Sequence, residues 1–182
     1  MTFHRDEIWV RCKLTAPKYG FDPLLLLAVA TQEAQKDRKN PLLYCGDVAA
    51  LEQGYYRRYI EPKNFATTTE VLLSASYGVF QMMGNSLYEL GWFDQEFLRQ
   101  PVQYREFYNN NSMDEVNVTK ALNRYCNDLD YQVDTACRHL SKKRTAVGGD
   151  TRKILLAWNG GANQQYDDEV LAKMEKLRIE LE

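Results

Sequence analysis

One apolar segment, Leu24 to Ala30, constrains the fold of this chain more than any other part of it. Asp22 can cap a helix and Pro23 suits its first position, so the sequence predicts a helix from there to about Asp37. The first two turns of this helix are apolar on every side, which is typical of a helix at the centre of a domain. The apolar run is far shorter than the ~20 residues that a membrane-spanning helix needs.

The length and composition fit one globular domain over residues 1–182. A chain of 182 residues that is 45% hydrophobic and 26% charged can bury a core without a metal or disulfides, and it is not of the disordered class. Its formal charge of -2 gives no electrostatic footprint for nucleic acid or an anionic membrane. The 4 cysteines lack metal-ligand spacing and only 2 histidines are present, so we expect free thiols and no metal site.

Most of the remaining pattern is helical, and we predict a mainly α fold. Further helices are predicted from Val79 to Leu90, from Val116 to Leu140 as one helix or two stacked helices, from Asp150 or Thr151 to Trp158, and from Tyr166 to Leu181. Residues 40–69 lose the helical period and contain several Gly and Pro residues, so loops with a short hairpin are expected there. The prediction is a single helical domain with one irregular insertion.

Glu33 is the first candidate functional residue, because a buried apolar helix rarely continues with a carboxylate. Near the C-terminal end of that helix, low-dielectric surroundings and the negative end of the helix dipole would both disfavour ionisation and raise its pKa. A carboxylic acid that stays protonated near neutral pH is what a glycosidase needs to protonate a leaving oxygen. The alternative is that Glu33 turns to solvent together with Gln32 and Gln35.

A second feature is the segment from Ser76 to Gly84, with the sequence S-Y-G-V-F-Q-M-M-G. We predict that Gly78 precedes an apolar helix, where its lack of a side chain lets the backbone approach a ligand or another helix closely. Gln81 offers a donor and an acceptor to a sugar hydroxyl or N-acetyl group. A tight contact between helices, with the two methionines as core filler, is an equally good explanation.

A third feature is the segment A-W-N-G-G at residues 157–161, followed by Tyr166. We expect Asn159 at a helix end, where its side chain can point into a groove, and we expect the two glycines to adopt positive φ angles. An ordinary helix C-terminus is the alternative.

In combination, the three segments resemble the soluble lytic transglycosylase and goose-type lysozyme group of peptidoglycan-cleaving enzymes, and also phage endolysins and muramidases of that lysozyme superfamily. The resemblance spans roughly residues 21–174. G-V-F-Q-M-M fits the G-L-M-Q pattern of the group, and A-W-N fits its A-Y-N pattern with Trp in place of Tyr. Ala34 stands where the group usually has Ser after its catalytic Glu, and the stretch from Glu33 to Gly78 is longer than in compact bacterial members.

The resemblance implies an α+β lysozyme-like fold with a catalytic cleft. It also implies cleavage of the β-1,4 bond between N-acetylmuramic acid and N-acetylglucosamine, without a metal or organic cofactor. Glu33 would act first as general acid and then as base. The substrate-binding positions that we assign on this basis are Ser76, Tyr77, Gly78, Gln81, Asn159 and Tyr166.

Two reaction outcomes stay open at this level. In a transglycosylase, which we favour, Glu33 deprotonates the muramyl 6-hydroxyl and gives a 1,6-anhydro product. A hydrolase needs a water held by a second carboxylate, for which Asp47, Glu61 and Glu70 in the insertion are the candidates. A non-catalytic peptidoglycan-binding or virion structural module, and a helical interaction protein of unrelated function, are the other classes.

The N-terminal residues lack the apolar core of a signal peptide. We therefore expect synthesis in the cytoplasm, followed by release to the cell wall with the help of a holin, as for a phage endolysin, or packaging in a virion. The expected partners are peptidoglycan glycan strands, with neither nucleic acid nor membrane insertion, and the expected state is a monomer.

Overall fold

The computed structural model describes residues 2–36, 40–45, 71–90 and 115–181, and this part of the chain is mainly helical. Its main α-helices are α1 (Arg5–Thr15), α2 (Pro23–Glu33), α3 (Gly84–Glu89), α4 (Glu115–Asn127), α5 (Leu129–Val147), α6 (Thr151–Trp158) and α7 (Tyr166–Leu181). Its short strands are β1 (Thr2–His4), β2 (Gln35–Lys36), β3 (Leu43–Cys45), β4 (Ser76–Tyr77) and β5 (Met82–Met83). Among the described helices, none is long and apolar enough to cross a bilayer.

Helix α2 is the central helix that the sequence predicts. Asp22 caps it by accepting a hydrogen bond from a backbone N–H of the first turn, and Pro23 is its first residue. Residues 25–31 are all buried, and α1, α5 and α7 pack around them. The helix ends at Glu33 rather than near Asp37, because the chain continues as strand β2 and pairs with β3.

A small antiparallel sheet joins the N-terminus to the segment after α2. Its strand order is β1-β3-β2, with Thr2 opposite Cys45 and Gln35 opposite the same residue on the other side. The hydroxyls of Thr31 on α2 and Tyr44 on β3 lie 2.7 Å apart in a buried hydrogen bond. The sheet therefore holds the C-terminal end of α2 in place.

Helix α1 is absent from the sequence predictions. Only Ile8 and Cys12 of this helix are buried, so its apolar pattern is sparse. Its N-terminus is capped by His4, whose Nδ1 accepts the N–H of Asp6 at 3.2 Å, while Glu7 accepts the His4 N–H at 3.0 Å. Histidine is not among the usual capping residues, so this signal is weak in the sequence.

The helix predicted from Val79 to Leu90 is wrong in its first half. Strands β4 and β5 form an antiparallel hairpin there, and α3 begins only at Gly84. Gly78 has φ +73° and Gln81 has φ +45°, both in the left-handed region, which an α-helix does not tolerate. Residues 78–81 therefore form the turn of a hairpin and not the N-terminus of a helix.

The C-terminal half agrees with the sequence more closely. Asp128 accepts the N–H of Tyr131 at 3.2 Å, and this cap divides the long predicted segment into the two helices α4 and α5. Asp150 accepts the N–H of Lys153 at 3.0 Å and caps α6. Helices α6 and α7 then pack against each other, and α7 lies along α2.

Candidate active site

Glu33 is the last residue of α2 and therefore lies at the C-terminal end of this buried helix. The next residue, Ala34, leaves the helix with φ -69° and ψ 137°, while its N–H donates to the carbonyl of Ala30 at 2.9 Å. The preceding turn is buried and packed on all sides, so the backbone that carries the carboxyl group is fixed. Glu33 is partly buried, and its side chain is directed toward the ends of α6 and α7.

Two residues from these helices hydrogen-bond to the Glu33 carboxyl group. Trp158, the last residue of α6, donates its Nε1–H to Oε1 at 3.2 Å. Tyr166, the first residue of α7, donates its hydroxyl to the same oxygen. The structure thus brings together Glu33 and Tyr166, which are both predicted site residues. It adds Trp158, whose indole is not among the predicted site groups.

Burial raises the pKa of Glu33 above the ordinary carboxyl value of 4.5, and the hydrogen bonds from Tyr166 and Trp158 oppose this effect. The direction is the one the sequence predicts. Burial, and after it the neighbouring Glu33 charge, raise the pKa of the Tyr166 phenol. Tyr166 therefore stays protonated and donates to Glu33 over the whole physiological pH range.

The loop between α6 and α7 has the helix-terminating geometry that the sequence predicts. Gly160 and Gly161 have φ +70° and +77°, so both adopt the left-handed conformation. Asn159 caps the loop from within, since its Oδ1 accepts the backbone N–H of Asn163 at 2.6 Å. The described role of Asn159 is therefore to shape the loop between Trp158 and Tyr166, and a contact with sugar remains a prediction.

A polar network, which the sequence does not indicate, lies beside the C-terminal end of α2. Glu169 Oε2 accepts hydrogen bonds from Gln32 Nε2 at 2.6 Å and from Asn163 Nδ2 at 3.2 Å. Lys173 Nζ donates to Gln32 Oε1 at 2.5 Å. The available signal was helical spacing, because Tyr166, Glu169 and Lys173 recur on one face of α7.

An ion pair fixes the start of α7 against α6. Arg152 Nη1 lies 2.7 Å from Asp167 Oδ2 and 2.5 Å from Asp168 Oδ1. The Asp167 side chain is buried, whereas those of Arg152 and Asp168 are largely exposed. The pair therefore connects the helix that carries the tryptophan to the helix that carries the tyrosine.

The hairpin residues predicted to bind sugar are hydrogen-bonded within the hairpin or to the segment just before it. The Ser76 hydroxyl donates to Gln81 Oε1 at 2.9 Å, and Gln81 Nε2 donates to the carbonyl of Gly78 at 2.8 Å. The Tyr77 hydroxyl donates to the carbonyl of Leu72 at 2.7 Å. These contacts give all four residues a role in the hairpin, and their contact with a substrate stays a prediction.

Gly78 is required by close packing against α5. A Cβ at this position would lie 2.4 Å from Oε1 of Gln132, which is fully buried. The same Gln132 oxygen accepts the Val79 N–H at 2.8 Å, and its Nε2 donates to the carbonyl of Cys126 at 3.0 Å. The sequence is compatible with a close approach of Gly78 to either a ligand or another helix, and the observed approach is to helix α5.

The remaining predicted site residues, Asp47, Glu61 and Glu70, lie outside the described residues. Within the described ranges, no group of three or more His, Cys, Asp or Glu side chains is arranged to hold a metal ion. The thiols of Cys12, Cys126 and Cys137 are free, as predicted.

Comparisons of the chain with protein families, with curated proteins and with solved structures found no match.

Proposed function

We propose that this protein cleaves peptidoglycan glycan strands, with Glu33 as the general acid and base of a lytic transglycosylase reaction in a lysozyme-like fold. One observation carries the proposal: the carboxyl group at the end of a buried helix has a raised pKa and is oriented by the donors Tyr166 and Trp158. The resemblance of the three sequence segments to that enzyme group supplies the substrate class.

The two hydrogen bonds indicate which oxygen would give up the proton. Both donors bond to Oε1 of Glu33, so this oxygen acts as an acceptor. A neutral carboxyl group in this setting carries its proton on Oε2. In the proposed reaction, Oε2 protonates the glycosidic oxygen, and the donors to Oε1 stabilise the carboxylate that forms.

The reaction then proceeds without an external nucleophile. The bond from muramyl C1 to the bridging oxygen breaks, and the leaving N-acetylglucosamine 4-hydroxyl keeps the proton from Glu33. The ionised Glu33 next removes the proton of the muramyl 6-hydroxyl, whose oxygen bonds to C1 and closes the 1,6-anhydro ring. Glu33 ends the cycle protonated, so acid and base roles fall to one residue.

The test is digestion of purified peptidoglycan sacculi, with mass spectrometry of the released muropeptides. We expect anhydro products, lighter by one water than reducing ends, and a rate at least ~100-fold lower for Glu33→Gln. Glu175→Gln is the matched control, because it removes the same charge from an exposed side chain on α7 whose described contact is with Arg178. This control is expected to digest at the wild-type rate.

Each alternative has its own result. Products with reducing muramyl ends would show that the reaction is hydrolysis instead of transglycosylation. The candidates for the second carboxylate would then be Asp47, Glu61 and Glu70. Binding to sacculi without any release by the wild-type protein would overturn the enzyme proposal in favour of a binding module. Equal release of muropeptides by the wild type and by Glu33→Gln would show that Glu33 is not the catalytic acid.

A further inference from the structure

His139 is a buried titratable residue to which the proposed mechanism gives no part. It lies on α5 and is 8% exposed. Its Nδ1 is buried and has no hydrogen-bond partner within the described part of the chain. An unpaired buried polar atom costs free energy, so a histidine at this position calls for an explanation in the contacts of its ring.

The ring of His139 contacts Trp158 edge to face. The two ring centroids are 5.1 Å apart with an interplanar angle of 79°. Edge-to-face pairs at this separation are attractive and orient both rings. The Trp158 indole is the same group whose Nε1–H reaches Glu33 Oε1, so the imidazole, the indole and the carboxyl group form one continuous chain of contacts.

Among the residues that the structure describes, the charged groups near His139 come from two elements. Lys142 and Lys143 lie on its own helix, and Glu89 comes from α3, where it forms an ion pair with Lys142 at 3.0 Å. Burial, followed by the two lysines, lowers the pKa of His139 to about 3, and Glu89 opposes this effect. The imidazole is therefore neutral at any pH at which the protein would act.

We propose that His139 is a positioning residue, whose ring holds the Trp158 indole in the orientation that donates a hydrogen bond to Glu33. The positioning is assigned to the ring because it meets the Trp158 indole edge to face, while the buried Nδ1 makes no described hydrogen bond. The geometric part of this inference stands without the proposed function, and its effect on catalysis rests on that function.

The test compares His139→Phe, which keeps an aromatic ring, with His139→Leu and His139→Gln, which do not. NMR of the protein without peptidoglycan follows the Trp158 indole N–H resonance and the titration of the Glu33 side-chain carboxyl. We expect His139→Phe to preserve both signals. Without the ring, the indole resonance should shift and the Glu33 midpoint should rise by roughly half a pH unit, because a hydrogen bond that stabilises the carboxylate is weakened.

Three results would overturn the inference. Unchanged signals in both His139→Leu and His139→Gln would show that the ring positions nothing. Preservation by His139→Gln together with a change in His139→Phe would assign the effect to a polar atom of the side chain. A disturbed Trp158 indole resonance in His139→Phe, with an unaltered titration of Glu33, would show that the orientation of the indole does not affect the ionisation of Glu33. Digestion assays on the same variants are independent of these signals, so failure of the proposed enzyme activity is distinguishable from failure of the positioning role.

Discussion

The hairpin at residues 76–83 and the cluster around Glu33 both carry parts of the sequence resemblance, but they are held together differently. Hydrogen bonds inside the hairpin connect residues 3 and 5 positions apart. Those that hold the Glu33 carboxyl group connect residues 125 and 133 positions apart. The hairpin is a local structure docked on one buried glutamine, whereas the Glu33 cluster exists only when three helix ends meet.

This difference predicts different responses to substitution. Changes at the hairpin should appear mainly as loss of stability, since its polar groups are used in packing and turn geometry. Changes at the Glu33 cluster should appear mainly in titration and activity, since its donors adjust the ionisation of one carboxyl group. Three experiments test this contrast.

The largest effect is expected for Gly78→Ala. Its Cβ would lie 2.4 Å from Gln132 Oε1, and φ at this position is +73°, so the substitution combines overpacking with backbone strain. We expect a loss of about 2–4 kcal/mol in the free energy of unfolding, measured by urea denaturation. Gly149→Ala is the matched control, because no atom lies within 4 Å of its Cβ, and it should change stability by less than about 0.5 kcal/mol.

The double variant Gly78→Ala, Gln132→Ala identifies the source of that loss. Truncation of Gln132 removes the closest contact of the new Cβ, although Tyr125 Cε1 stays 3.0 Å from it, and leaves the Val79 N–H and the Cys126 carbonyl without their partner. The two substitutions should therefore cost less together than the sum of their separate effects. Strict additivity would contradict a close contact between Gly78 and Gln132 and would leave backbone strain and the contact with Tyr125 as the causes.

The features that were predictable from sequence have local causes. The capped start of α2 follows from Asp22 and Pro23. The end of α6 follows from the two glycines after it, because glycine tolerates positive φ. Glu33 comes shortly after the apolar run of α2, which is why a buried carboxyl group with a raised pKa was predictable there, whereas the exact helix end depends on the pairing of β2 with β3.

The features that were missed depend on residues distant in the chain. The partner of Gly78 is Gln132 on α5, and nothing in the local sequence of either residue indicates the other. Left-handed φ at Gln81 is also not encoded by residue type, because this region is unusual for residues other than glycine. The approach of Trp158 to Glu33 likewise requires the packing of α6 and α7 around α2.

The second experiment tests whether the Glu33 cluster opposes folding stability at neutral pH. Because the pKa of Glu33 is raised in the fold, the folded state binds a proton more tightly than the unfolded state does. The stabilising contribution of that proton is complete below pH 4.5 and is lost as the pH rises through the folded pKa. The free energy of unfolding of the wild type should therefore fall, relative to that of Glu33→Gln, as the pH rises above this value.

Comparison with Glu33→Gln also cancels an opposing contribution from His139. The pKa of His139 is lowered to about 3 in the fold, so its contribution to stability increases as the pH rises from about 3 to its ordinary value of 6.5 and is constant above that value. Urea denaturation at several pH values gives the difference between the two proteins, and Glu175→Gln should follow the wild type. A difference that does not vary with pH would contradict a raised Glu33 pKa.

The smallest effect, and the sharpest test of the cluster, is expected for Tyr166→Phe. The substitution removes one hydroxyl that donates to Glu33 Oε1 and leaves the ring in place, so stability should change little compared with Gly78→Ala. The lost hydrogen bond had lowered the pKa of Glu33, so that pKa should rise and the alkaline limb of the activity profile should move to higher pH. Loss of a donor to the carboxylate formed in the reaction should lower the rate roughly tenfold.

Tyr19→Phe is the control for Tyr166→Phe, since it removes a hydroxyl that bonds to Asp134 at 2.5 Å and not to Glu33. Trp158→Phe removes the longer of the two hydrogen bonds to Oε1, at 3.2 Å, and should shift the pH profile in the same direction by less. In a Glu33→Gln background neither substitution should move the profile, because the group that they adjust is absent. A shift of the pH profile that persists in the Glu33→Gln background would mean that Tyr166 acts on the reaction through another group. The cluster would then not serve only to adjust the ionisation of Glu33.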